Sequence, residues 1–298
     1  LRITNNMLSQ NLLRNLETAQ GRIDDLQDQL SSNLRINKPS DDPIGIQSSM
    51  RLQNTISSVE QWKTNADEAI GYMNSTDSTL GEITTMLQRV RELAVEGSNG
   101  TLSGDDKQKV RIEVDQIAEH LRLMANTQIG SKYIFSGTQT NKELQISADG
   151  IVSEGNDQSI LFEVGNNLSL PISVNGQTLF GGGTPEEPAG IFVTLSKLST
   201  ALDTNDAEGI SEALTNVDVD IDNVIFHRAD LGARTNRMTS LRDQLDATSY
   251  NLQKNLSDIM DADMAKTITD FKNQENTYKA ALSVGAQIIQ PSLVDFIR

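Results

Sequence analysis

Alternating carboxylates at Asp218-Val219-Asp220-Ile221-Asp222 have the spacing that opens a calcium-binding loop. Such a loop needs Gly at its sixth position for the sharp turn and Glu at its twelfth for bidentate ligation, and those positions hold Asn223 and Ala229. Val217, Ile221 and Val224 continue a helical period through the same stretch, which predicts that the aspartates lie on a solvated flank. Asp41 with Asp42, and Asp261 with Asp263, could form acid/base pairs. The first pair reads as a helix cap and the second as solvent-facing charge on a helix. His120 and His227 are the two histidines, neither beside a Ser or Glu at catalytic or zinc-binding spacing, and cysteine is absent. Gly181-Gly182-Gly183 is followed by Thr-Pro and not by Gly-Lys-Ser/Thr, so it reads as a linker and not a phosphate loop. These residues predict no enzyme, no cofactor and no metal site.

The elements that would carry such residues are long helices with seams. Leu12, Leu16, Ala19, Ile23, Leu26 and Leu30 step 4, 3, 4, 3, 4, the period of a coiled coil. Toward the other end, Leu231, Met238, Leu241, Leu245, Leu252 and Ile259 keep the same period, with Leu256 flanking. Neither seam can bury itself. The first partner expected for the N-terminal seam is the C-terminal end of the same chain, and any stripe left over needs a neighbouring molecule.

Composition agrees with assembly. The chain of 298 residues has one tryptophan, and its first aromatic residue is Trp62. Helices packed side by side need only Leu, Ile, Val, Met and Ala. Residues 1–40 carry five basic against four acidic side chains, and residues 259–298 four against five, so the net charge of −16 lies between them. Near-neutral ends can crowd together while an acidic middle stays solvated. Nucleic acid is disfavoured as a partner because no basic stripe is visible. No apolar run approaches the ~18 residues of a membrane span, and the opening residues carry no pattern of a cleavable secretory signal.

Along the chain, Asp42 is placed to cap a helix with Pro43 at its first position, and helical phase then runs to Gly97, a rod of roughly 80 Å. Ser103 and Asp106 have capping-box spacing before Val110, Val114, Ile117, Leu121 and Met124, the expected antiparallel return. Around Tyr133 the period changes to two. Strands are predicted in the runs beginning at Lys132, Leu144, Ile160 and Leu168, with turns at Asp149-Gly150, Gly165-Asn166 and Asn175-Gly176. Helix resumes near Ile191 and, after a turn at Asn205-Asp206, from Ile210 onward.

The predicted fold is mainly α with a small inserted β domain, the N- and C-terminal segments forming a long antiparallel helical rod or coiled-coil bundle. It divides into an N-terminal assembly helix (1–43) pairing with the C-terminal end, a first rod half (44–138), the β domain (139–190), a second rod half (191–258) and a C-terminal assembly helix (259–298). The β domain, linked through the triple glycine, is expected to be separable from the seams.

Several motifs in order resemble one family. Ser31-Ser32-Asn33-Leu34-Arg35-Ile36-Asn37 followed by Asp41-Asp42 resembles the N-terminal signature of flagellins, and Leu87-Gln88-Arg89-Val90-Arg91-Glu92-Leu93-Ala94-Val95 resembles their second-helix motif. Leu231-Gly232-Ala233 with Asn236-Arg237, and Asp261-Ala262-Asp263-Met264-Ala265, resemble the C-terminal ones. Within that superfamily, Lys38-Pro39-Ser40-Asp41-Asp42-Pro43 and Lys132-Tyr133-Ile134-Phe135-Ser136-Gly137-Thr138 are more similar to the hook-associated protein 3 branch. The resemblance implies an extracellular structural subunit of the bacterial flagellum, exported through the flagellar type III apparatus after pairing with an export chaperone. It implies a homo-oligomeric ring between hook-associated protein 1 and flagellin. It also implies a tract around Arg89 and Leu93 that flagellin-sensing immune receptors could read. Two alternatives remain open on the sequence: a flagellin filament subunit, and a secreted coiled-coil adhesin or effector.

Overall fold

A computed structural model of the chain describes residues 5–100, 102–147, 152–153, 155–156, 158–181 and 190–289. The chain forms two compact units, Leu1–Ser58 with Thr248–Arg298, and Val59–Ala247. Helices α2 (Pro43–Gly97) and α6 (Ala207–Met260) contribute to both. As predicted, the fold is mainly α with short strands in the middle of the chain.

In the unit 59–247, α2 and α6 run antiparallel. Lys63 pairs with Asp246 at 2.6 Å, Asp77 with Arg228 at 3.0 Å and Arg91 with Asp218 at 2.6 Å, so partner numbers fall on one helix as they rise on the other. Met73, Leu80, Ile83, Leu87 and Val90 of α2 and Ile210, Val217, Val224, Leu231 and Met238 of α6 enter one core. Burying such side chains contributes roughly 1.5–3 kcal/mol each, whereas the exposed ion pairs are screened by water, so the apolar stripes hold the pair and the charges set its register. Helix α3 (Gly104–Ala125) begins where the capping box was read: Ser103 accepts from the Asp106 N–H at 3.2 Å and donates to its carboxylate at 2.7 Å. Helix α5 (Ile191–Thr204) packs antiparallel on α3, with Asp115 against Ser199 at 2.7 Å and Gln108 against Asp203 at 2.8 Å.

Among the described residues between α3 and α5 are three antiparallel strand pairs. They join β1 (Gln128–Ile129) to β2 (Lys132–Tyr133), β3 (Gln145–Ile146) to β4 (Val152–Ser153), and β5 (Leu161–Gly165) to β6 (Leu168–Pro171). The turn read at Gly165-Asn166 is present, with Asn167 in the left-handed region at φ 58°. Two expectations change. Asn175-Gly176 is not a hairpin turn: Asn175 caps a short helix, α4 (Gly176–Phe180), accepting from the Gln177 N–H at 2.8 Å. Gly176 lies so close to Phe135 that an added Cβ would sit 2.5 Å from the Phe135 carbonyl, which fixes the chain there. The Lys132 strand also ends at Tyr133, because Ile134, Phe135 and Ser136 turn into the core. The turn at Asp149-Gly150 and the linker residues Gly182 and Gly183 lie outside the described residues.

The hairpins share their core with the helices. Phe135 meets Phe180 edge-on at 5.1 Å and Phe180 meets Phe192 of α5 at 5.7 Å. Tyr72 of α2 donates to the Ile134 carbonyl at 2.9 Å, and burial pushes its phenol up to about 12. The insert is continuous with the helical core at these residues.

Candidate assembly interface

In the terminal unit, α1 (Asn5–Ser32) packs along α7 (Met264–Ile289). The two are antiparallel: Leu12 near the start of α1 meets Gly285 near the end of α7, and Leu34 bridges Asp261 at the opposite end. All six seam residues of α1, Leu12, Leu16, Ala19, Ile23, Leu26 and Leu30, are half-buried between exposed flanks. The spacing alone located this face.

The partner stripe is on α7 and was missed. Met264, Thr267, Phe271, Gln274, Tyr278, Ala281 and Gly285 step 3, 4, 3, 4, 3, 4 and are half-buried or buried. Thr, Gln and Gly at inward positions hide the pattern from a hydrophobicity reading, whereas the spacing itself was available. The α6 residues read as the C-terminal seam are placed otherwise. Leu231 and Met238 are buried in the core with α2, and Leu241 packs against that core. Leu245 is half-buried in the unit 59–247, and Leu252, Leu256 and Ile259 are half-buried in the terminal unit.

The aspartate pair at 261 and 263 does not sit on a helix. The chain leaves α6 at Met260 and enters α7 at Met264, with Asp261 bridged to Leu34 and Asp263 accepting from the Lys266 N–H at 3.1 Å as a cap. Facing this break, Arg35 donates its backbone N–H to Met260 at 2.6 Å and its guanidinium to the Ile259 carbonyl at 2.8 Å. Ala262 donates to the Asn33 carbonyl at 3.0 Å. Asp42 caps α2 as read, accepting from the Gly45 N–H at 2.9 Å, and faces Arg35 at 3.4 Å. The Gly45 N–H holds the Asp42 carboxyl below its usual value, and the N–H groups of Lys38 and Asn37 do the same for Asp41. Ile36 is buried beneath Gly45, where an added Cβ would lie 2.6 Å from its Cδ1. On α7, Glu275 accepts from Lys279 at 2.7 Å and Lys272 at 3.0 Å, and the two ammonium groups hold it down at about 2.

The residue types that could do chemistry are dispersed. His120 is exposed, and His227 is half-buried with its pKa lowered by burial. Asp218 is engaged by Arg91 and Asp222 is exposed, but Asp220 is 4% exposed and not on the solvated flank. Three residues from Val217 and four from Val224, it shares their inward side and meets the hydroxyl of Thr194 on α5. Desolvation raises its pKa to about 7. Among the described residues no group of three or more His, Cys, Asp or Glu could hold a metal ion, and no helix is long and apolar enough to cross a membrane. Arg89 is on the surface, paired with Glu92 at 2.9 Å and Glu113 at 2.7 Å, while Leu93 is 1% exposed within the core.

What this arrangement can do is pack helices. Residues 3–140 match the bacterial flagellin N-terminal helical region and residues 214–297 the flagellin C-terminal helical region. Flagellin FlaB1 of Treponema pallidum is 28% identical over 276 residues, 91% of each chain. The flagellar hook-associated protein 3 of Escherichia coli is 28% identical over 301 residues, 94% of this chain and 95% of that one. A flagellar hook-associated protein of Vibrio parahaemolyticus has the same fold, with a TM-score of 0.67 at 20% identity over 74% of this chain and 100% of its own. With both terminal helical regions matched in order, the chain belongs to the flagellin superfamily and is a non-enzymatic structural component of the bacterial flagellum.

Proposed function

We propose that this subunit forms the hook–filament junction, a homo-oligomeric ring between hook-associated protein 1 and the first flagellin layer. It reaches that place outside the cell by flagellar type III export after pairing with an export chaperone. Two segments that resemble the hook-associated protein 3 branch carry the reading. Residues 38–43 build the corner capped by Asp41 and Asp42, and residues 132–138 send Ile134 and Phe135 into the core. The likeness to the Escherichia coli hook-associated protein 3 runs nearly the full length of both chains and supports it. Assembly is supported by the outer sides of α1 and α7, where Met7, Leu13, Ile268, Leu282 and Val284 are 44–54% exposed. A neighbouring subunit would cover these apolar side chains in an assembly.

A flagellin filament subunit is the second reading, favoured by flagellin relatives of the same identity. Immunogold labelling of intact flagella separates the two. One narrow band next to the hook supports the junction, and label along the whole filament supports flagellin.

A further inference from the structure

The sequence contains two Asn-Gly pairs, Asn99-Gly100 and Asn175-Gly176. A glycine after asparagine leaves the following backbone nitrogen unhindered, and that nitrogen can attack the asparagine side-chain carbon Cγ. In an unfolded chain the two pairs would react alike. The structure places them in opposite surroundings.

Asn99 and Gly100 are both exposed, in the corner between the end of α2 at Gly97 and the start of α3 at Gly104. Among the described residues no backbone carbonyl accepts from the Gly100 N–H, and an added Cβ at Gly100 would meet no other group within 4 Å. The nitrogen that must move therefore has room to do so. Gly176, by contrast, is buried, and its N–H donates to the Phe135 carbonyl at 3.0 Å. A Cβ there would lie 2.5 Å from that carbonyl oxygen and 2.8 Å from Leu144 Cδ1. The Asn175 amide oxygen is engaged as well, accepting from the Gln177 N–H at 2.8 Å at the start of α4. Reaction at Asn175 would cost the Gly176 bond, the cap and the packing against Phe135 at once.

We propose that Asn99 is a site of covalent modification, deamidating in the folded protein, and that the fold shields Asn175 from the same reaction. The Gly100 nitrogen gives its proton to water and bonds to Asn99 Cγ; the bond from Cγ to the side-chain nitrogen breaks, ammonia leaves, and a cyclic imide closes. Water then opens the ring. Attack at the former side-chain carbonyl gives aspartate, and attack at the main-chain carbonyl gives isoaspartate, whose chain runs on through Cγ. The sum is hydrolysis of one amide by water, with no change of oxidation state.

Either product adds one negative charge to the formal −16. The charge falls at the C-terminal end of α2, where the Asn99 N–H bonds the Glu96 carbonyl at 3.0 Å and the helix dipole is negative. Isoaspartate also lengthens the main chain inside the turn that the Leu102 N–H closes on the Asn99 carbonyl at 3.1 Å. Both effects loosen the corner that joins α2 to α3. The modification depends on neither the junction nor the filament reading.

The test is made on the full-length chain, kept folded at mildly alkaline pH, with samples taken over time, digested in mild acid and measured by peptide mass spectrometry. Electron-transfer fragmentation distinguishes isoaspartate from aspartate. The Asn99 peptide is expected to gain one mass unit, with isoaspartate the larger share. Asn175 is expected to convert at least about tenfold more slowly, a factor that corresponds to about 1.4 kcal/mol. In urea at the same pH the two sites are expected to convert at similar rates. Gly100→Ala, which fits because Gly100 is outside the left-handed region and open, is expected to slow Asn99 by a similar factor and leave Asn175 unchanged. Equal conversion of the two sites in the folded chain, or an Asn99 that converts in urea and not in the folded chain, overturns the proposal. A gap of the same size that persists in urea also overturns it, because neighbouring residues and not the fold would then set the difference.

Discussion

Leu12 fills the space that a side chain at Gly285 would occupy: a Cβ there would lie 2.7 Å from Leu12 Cδ2. The contact sets how closely α1 and α7 approach. Gly285→Ala is tolerated, because the end of a leucine can rotate away, whereas Gly285→Leu forces the helices apart at a cost of about 1–3 kcal/mol. Limited proteolysis should therefore cleave α1 and α7 faster in Gly285→Leu and leave residues 59–247 intact. Leu16→Asp, which places a carboxylate in the same seam, is expected to do likewise and to abolish incorporation into flagella. Normal motility of both variants would show that the pair is not the assembly element.

Stability of the unit 59–247 should fall as pH rises from about 4 to about 7. Asp220 has a folded pKa of about 7 against an ordinary 3.8, so the folded state holds its proton where the unfolded chain has released it. The penalty is absent below pH 3.8, grows between the two values and is complete above 7. At roughly 1.4 kcal/mol per unit it amounts to on the order of 4 kcal/mol at most. Asp220→Asn should flatten the profile and raise the midpoint of thermal unfolding at pH 8. Exposed Asp246, held low by Lys63, acts in the opposite sense only as pH falls below its ordinary range, whereas His227, lowered by burial, opposes Asp220 within the window up to its ordinary 6.5 and does so equally in Asp220→Asn. An unchanged profile in Asp220→Asn would assign the dependence elsewhere.

Leu93 and Arg89 are one helical turn apart, yet their substitutions should differ severalfold in effect. Leu93→Ala leaves a cavity and should cost about 2–5 kcal/mol. Arg89→Ala removes only solvent-exposed, screened ion pairs and should cost far less. Urea unfolding of the two variants makes the comparison, and equal losses would contradict the burial of Leu93.

Replacing residues 140–188 with a short Gly/Ser linker should destabilise the helices. The change removes Phe180, Ile172 and Leu179 from beside Phe135 and Phe192, leaving those rings in water. A lower unfolding temperature for the remaining helical signal is expected. Tyr72→Phe, which loses only the bond to the Ile134 carbonyl, should cost about 1 kcal/mol. A shortened protein as stable as the full chain would restore the view of the hairpins as an independent appendage.

The sequence by itself determined what is local. Heptad spacing located the inward face of α1 at all six positions, Asp42 and Ser103 were legible as caps, and the change of period near Tyr133 marked where helices give way to hairpins. Each of these depends on residues within a turn or two of one another. Tertiary structure decided the partner of α1, a stripe with Thr267, Gln274 and Gly285 at inward positions. Complementarity with Leu12 and its neighbours makes that stripe a seam, and its own hydrophobicity does not. It also decided that Asp261 and Asp263 stand at a break, since Arg35 and Asn33, more than 220 positions away in the chain, supply the hydrogen bonds there. Asp220 is buried because α5 lies over it and offers the Thr194 hydroxyl. A periodic pattern states which side of a helix turns inward; only the assembled chain states what that side meets.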